Sequence, residues 1–141
     1  MSRRVGRLEI KGCNGMAEYR LRIGRFTNLG NGIIESVVDQ GVEVDVSDIQ
    51  ELITLLGTLQ PRPRALLADR RNSYSFTFAA LQFASSSDAL EAVAEVNYGH
   101  RPLQIVGNLL MPKFFKFAMF ARREEALQWL QQRLGDDLNP R

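Results

Sequence analysis

What this chain has little of narrows its chemistry first. Cys13 is its only cysteine in 141 residues, so no internal disulfide and no cysteine-built metal site can form, and a reducing cytoplasm is expected. His100 is the only histidine. It follows Gly99 in a turn, with no neighbouring cysteine or pair of acids, so neither a metal site nor a general base with a partner is expected there. No apolar run is long enough for a signal peptide or a bilayer span. Repeats and low-complexity tracts are absent apart from the serines at 85–87. Neither sign of charge predominates: 18 basic residues stand against 16 acidic, the balance of an ordinary solvated surface, so no nucleic acid is expected. No metal and no cofactor is expected either.

What is present is apolar material for one core. At 45% apolar, the chain is long enough to bury one core well and too short for two. The expected division is a basic leader at 1–15, partly disordered, a single domain at 16–135 and a loose tail at 136–141. Residues 8–10 suggest a short extra strand. Residues 18–24 alternate, with Tyr19, Leu21 and Ile23 on one face and Arg20 and Arg22 on the other, which predicts a half-buried strand. The loop 27–32 has two glycines and two asparagines for a turn. The β-branched run Ile33 to Val38 then predicts the second arm of an antiparallel hairpin. After Val42 to Asp45, a possible edge extension, Ser47 and Gln50 have the spacing of a capping box. Ile49, Leu52, Ile53 and Leu56 recur at helical spacing, and Gly57, Pro61 and Pro63 stop that helix.

The centre of the chain is the stretch from Ala65 to Leu81. Ala65 to Ala68 is apolar without alternation, as in a strand covered on both faces of a parallel sheet, and a helix between two parallel strands implies a right-handed crossover. Loops after such strands are where ligands and partners are met. Asp69, Arg70, Arg71, Ser73, Ser75 and Thr77 are therefore the switch or docking candidates. The absence of glycine from 70–77 argues against a phosphate-cradling loop. Thr77 suits the N-cap of a helix starting at Phe78, and Ser75 suits a cap one turn earlier. A phosphoryl group on Ser73 or Ser75 would find Arg70 and Arg71 nearby in sequence.

Beyond it, one helix is expected to run from Phe78 through the serines to about Glu91, then a strand at Ala92 to Tyr98. Pro102 opens a helix over Leu103 to Leu110 that is apolar nearly all round. With Phe114, Phe115 and Phe117 this exceeds what one small core hides, so Leu103, Val106, Leu109, Leu110, Phe114 and Phe115 are candidates for a homodimer interface or a ligand slot. A strand at 116–120 and a helix at 124–134 follow, with Leu127, Leu130 and Leu134 on one side and Gly135 beyond its end. Arg122 and Arg123 sit at the wrong pole for the helix dipole, so something else should need them.

Several stretches in this order, GIIESVV, GVEVDVSDIQEL, LLADRR with its serine turn, RPLQIVGNLLMPKF and MFARREEALQWL, resemble small bacterial proteins of a SpoIIAA-like fold. These are relatives in shape of the STAS domains of anti-sigma factor antagonists. The resemblance implies an α/β fold: a mainly parallel sheet with an antiparallel N-terminal hairpin, flanked by about four helices. It also implies a protein-binding switch worked by phosphorylation of a serine after the central strand. Asp69 matches the strand-end aspartate and Ser75 falls nearest the switch serine, while the flanking acid and glycine of that turn are missing. A regulatory interaction module with an unknown protein partner is the expected function. The alternative is a binder of a small apolar ligand or lipid in a slot near 102–117, since the fold also resembles the lipid-cradling part of a lipid-transfer family. No catalytic residues and no enzyme activity are expected, as no nucleophile with base, paired carboxylates or metal cluster occurs at a usable spacing.

Overall fold

Two mainly apolar strands, Ile33–Val38 (β4) and Ala65–Asp69 (β6), lie side by side and parallel at the centre of the sheet, the arrangement that buries both faces of a strand. The computed structural model describes residues 7–11, 16–98 and 117–138. Besides β4 and β6 these hold β1 (Arg7–Lys11), β2 (Met16–Leu21), β3 (Gly24–Gly30), β5 (Glu43–Val44), α1 (Val46–Thr58), β7 (Ser75–Phe76), α2 (Phe78–Ser86), β8 (Ala92–Val96), β9 (Phe117–Phe120) and α3 (Arg123–Leu138). Seven strands form one sheet in the order β1-β2-β3-β4-β6-β8-β9. The first four are antiparallel neighbours and the last four parallel. The α/β class with an antiparallel N-terminal part and parallel strands after it is as the sequence predicts. The helix expected at 103–110, His100, Phe114 and Phe115 lie outside the described residues.

Each face of the sheet has its own core. On one, Leu52, Leu55 and Leu56 of α1 pack with Phe26, Ile34, Val38 and Tyr74. On the other, Ala126, Leu130 and Leu134 of α3 cover Ile33, Ala65, Leu67, Ala94 and Val96. Small alanines on β6 and β8 let α3 approach closely. Thus α1 and α2 lie on one side and α3 on the other.

Four expectations are corrected. The first concerns β3. The turn after β2 falls at Arg22–Ile23, and Gly24–Gly30 is a strand that pairs with β2 on one side and β4 on the other, so β4 does not pair with 18–24. The asparagines and glycines there disguise it. Gly24 is present because a Cβ at that point would lie 2.3 Å from the Val37 carbonyl oxygen, and Gly30 adopts φ +84° at an irregularity of the ladder. The turn into β4 is Asn31–Gly32, φ +56° and +83°, the left-handed pair of a type I′ hairpin.

Second, the N-cap of α1 is Asp45, not Ser47. Asp45 Oδ1 accepts from the Val46 amide at 2.7 Å, and Asp48 Oδ2 accepts from the Asp45 amide at 2.9 Å, closing a capping box two residues earlier than expected. Long-range pairing favours this register: Arg22 reaches the buried Asp48 carboxylate through Nε at 2.7 Å and Nη2 at 2.6 Å. That guanidinium holds the Asp48 carboxyl below its ordinary value of 3.8. A depressed acid contributes stability above its unfolded pKa and loses it as pH falls through the folded one. Asp48→Asn should therefore cost about 1–2 kcal/mol at neutral pH and less at about pH 3, below the ordinary carboxyl value, where the unfolded state takes up its proton first. Urea unfolding at the two pH values checks this.

Third, α2 stops at Ser86 and does not continue to Glu91. Ser85 and Ser86 donate their hydroxyls to the carbonyls of Gln82 and Phe83 at 3.0 and 3.1 Å, and the Ser87 Oγ accepts from the Ala89 amide. Such local bonds compete with helix continuation. Fourth, α3 runs to Leu138 through Gly135, so 136–138 are not a loose tail. A glycine inside a helix costs about 1 kcal/mol, which the burial of Leu130 and Leu134 offsets. The short extra strand expected at 8–10 is present as β1, over residues 7–11.

Candidate functional site

Successive residues leave a strand toward opposite faces, and at the exit of β6 this divides the charged run Asp69-Arg70-Arg71. Asp69, with no exposed surface, points to the α3 side. Its carboxylate accepts from the Arg71 amide at 3.0 Å, from Arg71 Nε at 3.3 Å and Nη2 at 2.9 Å, and from the Tyr98 hydroxyl at 3.1 Å to each oxygen. Arg70 turns to the α1 side and is buried. Its Nη2 donates to the Tyr74 carbonyl at 2.5 Å and its Cζ lies 3.8 Å from the Tyr74 ring centroid. Its Nε stands 3.6 Å from a Glu95 oxygen, beyond hydrogen-bonding reach, and has no hydrogen-bond partner among the described residues. Burial pushes the Glu95 carboxyl up, with Arg70 drawing it part of the way back. Burial also pushes the Tyr74 phenol up.

The turn that follows is bonded along its length to the β4–α1 connection. Asn72 Nδ2 donates to the Val38 carbonyl at 2.9 Å, the Ser73 amide to Gln40 Oε1 at 2.9 Å, and the Gly41 amide to the Ser73 carbonyl at 2.7 Å. The short parallel pair β5–β7 sets Glu43 beside Ser75 and Val44 beside Phe76. Thr77 caps α2 as predicted, its Oγ1 accepting from the Ala80 amide at 3.0 Å. The same hydroxyl donates to Asp45 Oδ1 at 3.3 Å, so the two helix caps touch. Ser75 is a strand residue and not a cap. Ser73 and Ser75 are both exposed, and one residue past the Thr77 cap Phe78 is 74% exposed.

Of the residues singled out from the sequence, Ser73 and Ser75 thus lie exposed between β6 and α2, with Thr77 half-buried at the cap of α2. Arg70 and Arg71 are engaged on opposite faces of the sheet. Leu103, Val106, Leu109, Leu110, Phe114 and Phe115 lie outside the described residues. Sequence reasoning missed Glu35, Glu95 and Tyr98 as members of the polar clusters. The signal was there for two of them: an acid inside an apolar strand run, IIESVV and AVAEV, has to be paired. Glu35 is paired by Arg123, through Nε at 3.0 Å and Nη2 at 2.9 Å. This explains an arginine at the unfavourable end of α3. Among the described residues no group of three or more His, Cys, Asp or Glu could hold a metal ion. No helix there is long and apolar enough to cross a membrane.

The class these features define is an α/β sheet domain with polar clusters and a bonded turn at the carboxyl end of its parallel strands. No family model matches the sequence, and no curated protein does. Among solved structures, the chain is similar to the crystal structure of an uncharacterized protein of the DUF3478 family with a SpoIIAA-like fold, from Shewanella loihica PV-4. The two are 15% identical over 92% of this chain and 98% of that one, with a TM-score of 0.45.

Proposed function

We propose that the chain is a non-catalytic, cytoplasmic regulatory domain of bacterial SpoIIAA/STAS type that docks another protein through the 73–78 turn. The observation that carries this reading is Phe78. A large aromatic left 74% exposed at the first turn of a helix, beside a turn whose backbone is bonded at Ser73, Ser75 and Thr77, is what an interface anchor looks like before its partner arrives. Phosphorylation of Ser75 would regulate it by repulsion. The added charge of about −1.5 to −2 would face Glu43, its neighbour in the β5–β7 pair, and an acidic turn would turn a partner away. On the same reading the apolar 103–110 run joins two copies of the chain.

Phe78→Ala tests the docking surface. The side chain buries little in the free protein, so folding stability should change by less than about 0.5 kcal/mol. Capture of partner protein from cells of the native organism should fall at least tenfold against wild type, as for an anchor residue worth about 2 kcal/mol. An unchanged set and amount of captured protein would remove the reading.

A further inference from the structure

On the α3 side of the sheet, two arginine–carboxylate pairs stand next to each other. Val37 and Asp69 are register partners on β4 and β6, and Glu35 projects two residues before Val37 on the same face. Arg71 is held on Asp69 and Arg123 on Glu35, each through Nε and Nη2. Both guanidinium planes are therefore fixed, and the Nη1 of each has no partner among the described residues. The four charges cancel, but not at one depth. The Asp69 and Glu35 side chains are 0% and 11% exposed, whereas those of Arg71 and Arg123 are 51% and 40% exposed. The surface therefore presents the positive ends of two ion pairs. Each guanidinium also feels the other pair's carboxylate, which marks the pairs as neighbours.

Tyr98 completes the wall. It is 46% exposed and held at φ +54°, a left-handed conformation uncommon for a bulky residue, with its hydroxyl on Asp69. Strain of this kind persists where surroundings over-determine it, and it clusters at ligand sites. The place is the carboxyl edge of the parallel strands, where ligands of open α/β sheets bind.

We propose that Arg71 and Arg123 form a binding site for a phosphate group carried by a small molecule, its oxygens bridging the two free Nη1 edges over the Tyr98 ring. Guanidinium forks fixed from behind match phosphate oxygens with little loss of side-chain freedom. The site faces away from the α1 side, where Arg70 and the Tyr74 ring lie, and is independent of the docking reading.

The test titrates the isotope-labelled full chain with inorganic phosphate and then with adenosine monophosphate. Ionic strength is held constant with chloride, and the arginine Nε–Hε and backbone resonances are followed by NMR. Saturable shifts centred on Arg71, Tyr98 and Arg123 are expected. Arg71→Lys and Arg123→Lys keep the charge on Asp69 and Glu35 but lose the fork, and each should weaken binding about tenfold. Arg62→Lys, at the opposite end of β6, should not. Tighter binding of the nucleotide would assign part of the recognition to the group bearing the phosphate, and equal binding would assign it to the phosphate alone. Linear, unsaturated shifts, or saturable shifts mapping elsewhere on the wild-type chain, would overturn the proposal whether or not the lysine variants fold.

Discussion

Arg70→Met should destabilise the fold by about 3–5 kcal/mol, the scale seen when one member of a buried ion pair is removed. The loss is not chiefly of contacts, since methionine fills much of the arginine's volume. It arises because Glu95 is left buried without its cation. Glu95 is already pushed up by burial, and Arg70 is the group that draws it down, so the variant's Glu95 should titrate higher still. A raised acid contributes stability that is present below its unfolded pKa and lost as pH rises through the folded one. The deficit of Arg70→Met should therefore be smaller at about pH 4 than at about pH 8. The double variant Arg70→Met/Glu95→Leu should recover most of it, because exchanging a whole buried pair for apolar residues is often neutral. Denaturant unfolding of the three proteins across pH settles the matter. A deficit that ignores pH and survives the double change would mean that the lost packing on Tyr74 and Phe76, not the charge, was what counted.

The second large effect belongs to Gly24. A methyl group there would meet backbone on two sides, 2.3 Å from Val37 O and 2.7 Å from Val38 Cα. Neither is the end of a flexible side chain, so the β3–β4 ladder itself has to give. Gly24→Ala should cost about 3 kcal/mol or more, at or beyond the upper end of ordinary overpacking. Gly41 is the contrast: φ is +80° and no atom lies within 4 Å of an added Cβ. Gly41→Ala should cost only the backbone strain, about 1–2 kcal/mol. Hydrogen exchange distinguishes the two, since only Gly24→Ala should lose amide protection along β3 and β4.

The parts of this fold that were legible in the sequence are those where one residue's neighbours along the chain decide its fate. The β4 strand follows from its β-branched residues and the β6 strand from the apolar run Ala65 to Ala68, and the Thr77 cap from a hydroxyl just before a helix. The β3 strand was hidden because Asn28, Gly30 and Asn31 carry turn chemistry, and only the approach of Val37 explains why Gly24 begins a strand. The capping box was misplaced by two residues because Ser47–Gln50 and Asp45–Asp48 both have the right spacing. Arg22, 26 positions from Asp48, decides between them. Distance along the chain hid the polar clusters too: Glu35 and Arg123 are 88 positions apart. The split of Arg70 from Arg71 was within reach, because adjacent residues at a strand end must diverge, yet a run of two arginines reads more readily as one basic patch.

The contact between the Thr77 hydroxyl and Asp45 has a consequence for association. With the starts of α1 and α2 clasped and the turn before Phe78 tied down at nearly every residue, the conformational entropy of that surface has already been surrendered in folding. Under the proposed docking, a partner would meet a preorganised patch, and most of what it gained from desolvating the aromatic ring would appear as affinity rather than being spent on ordering a loop.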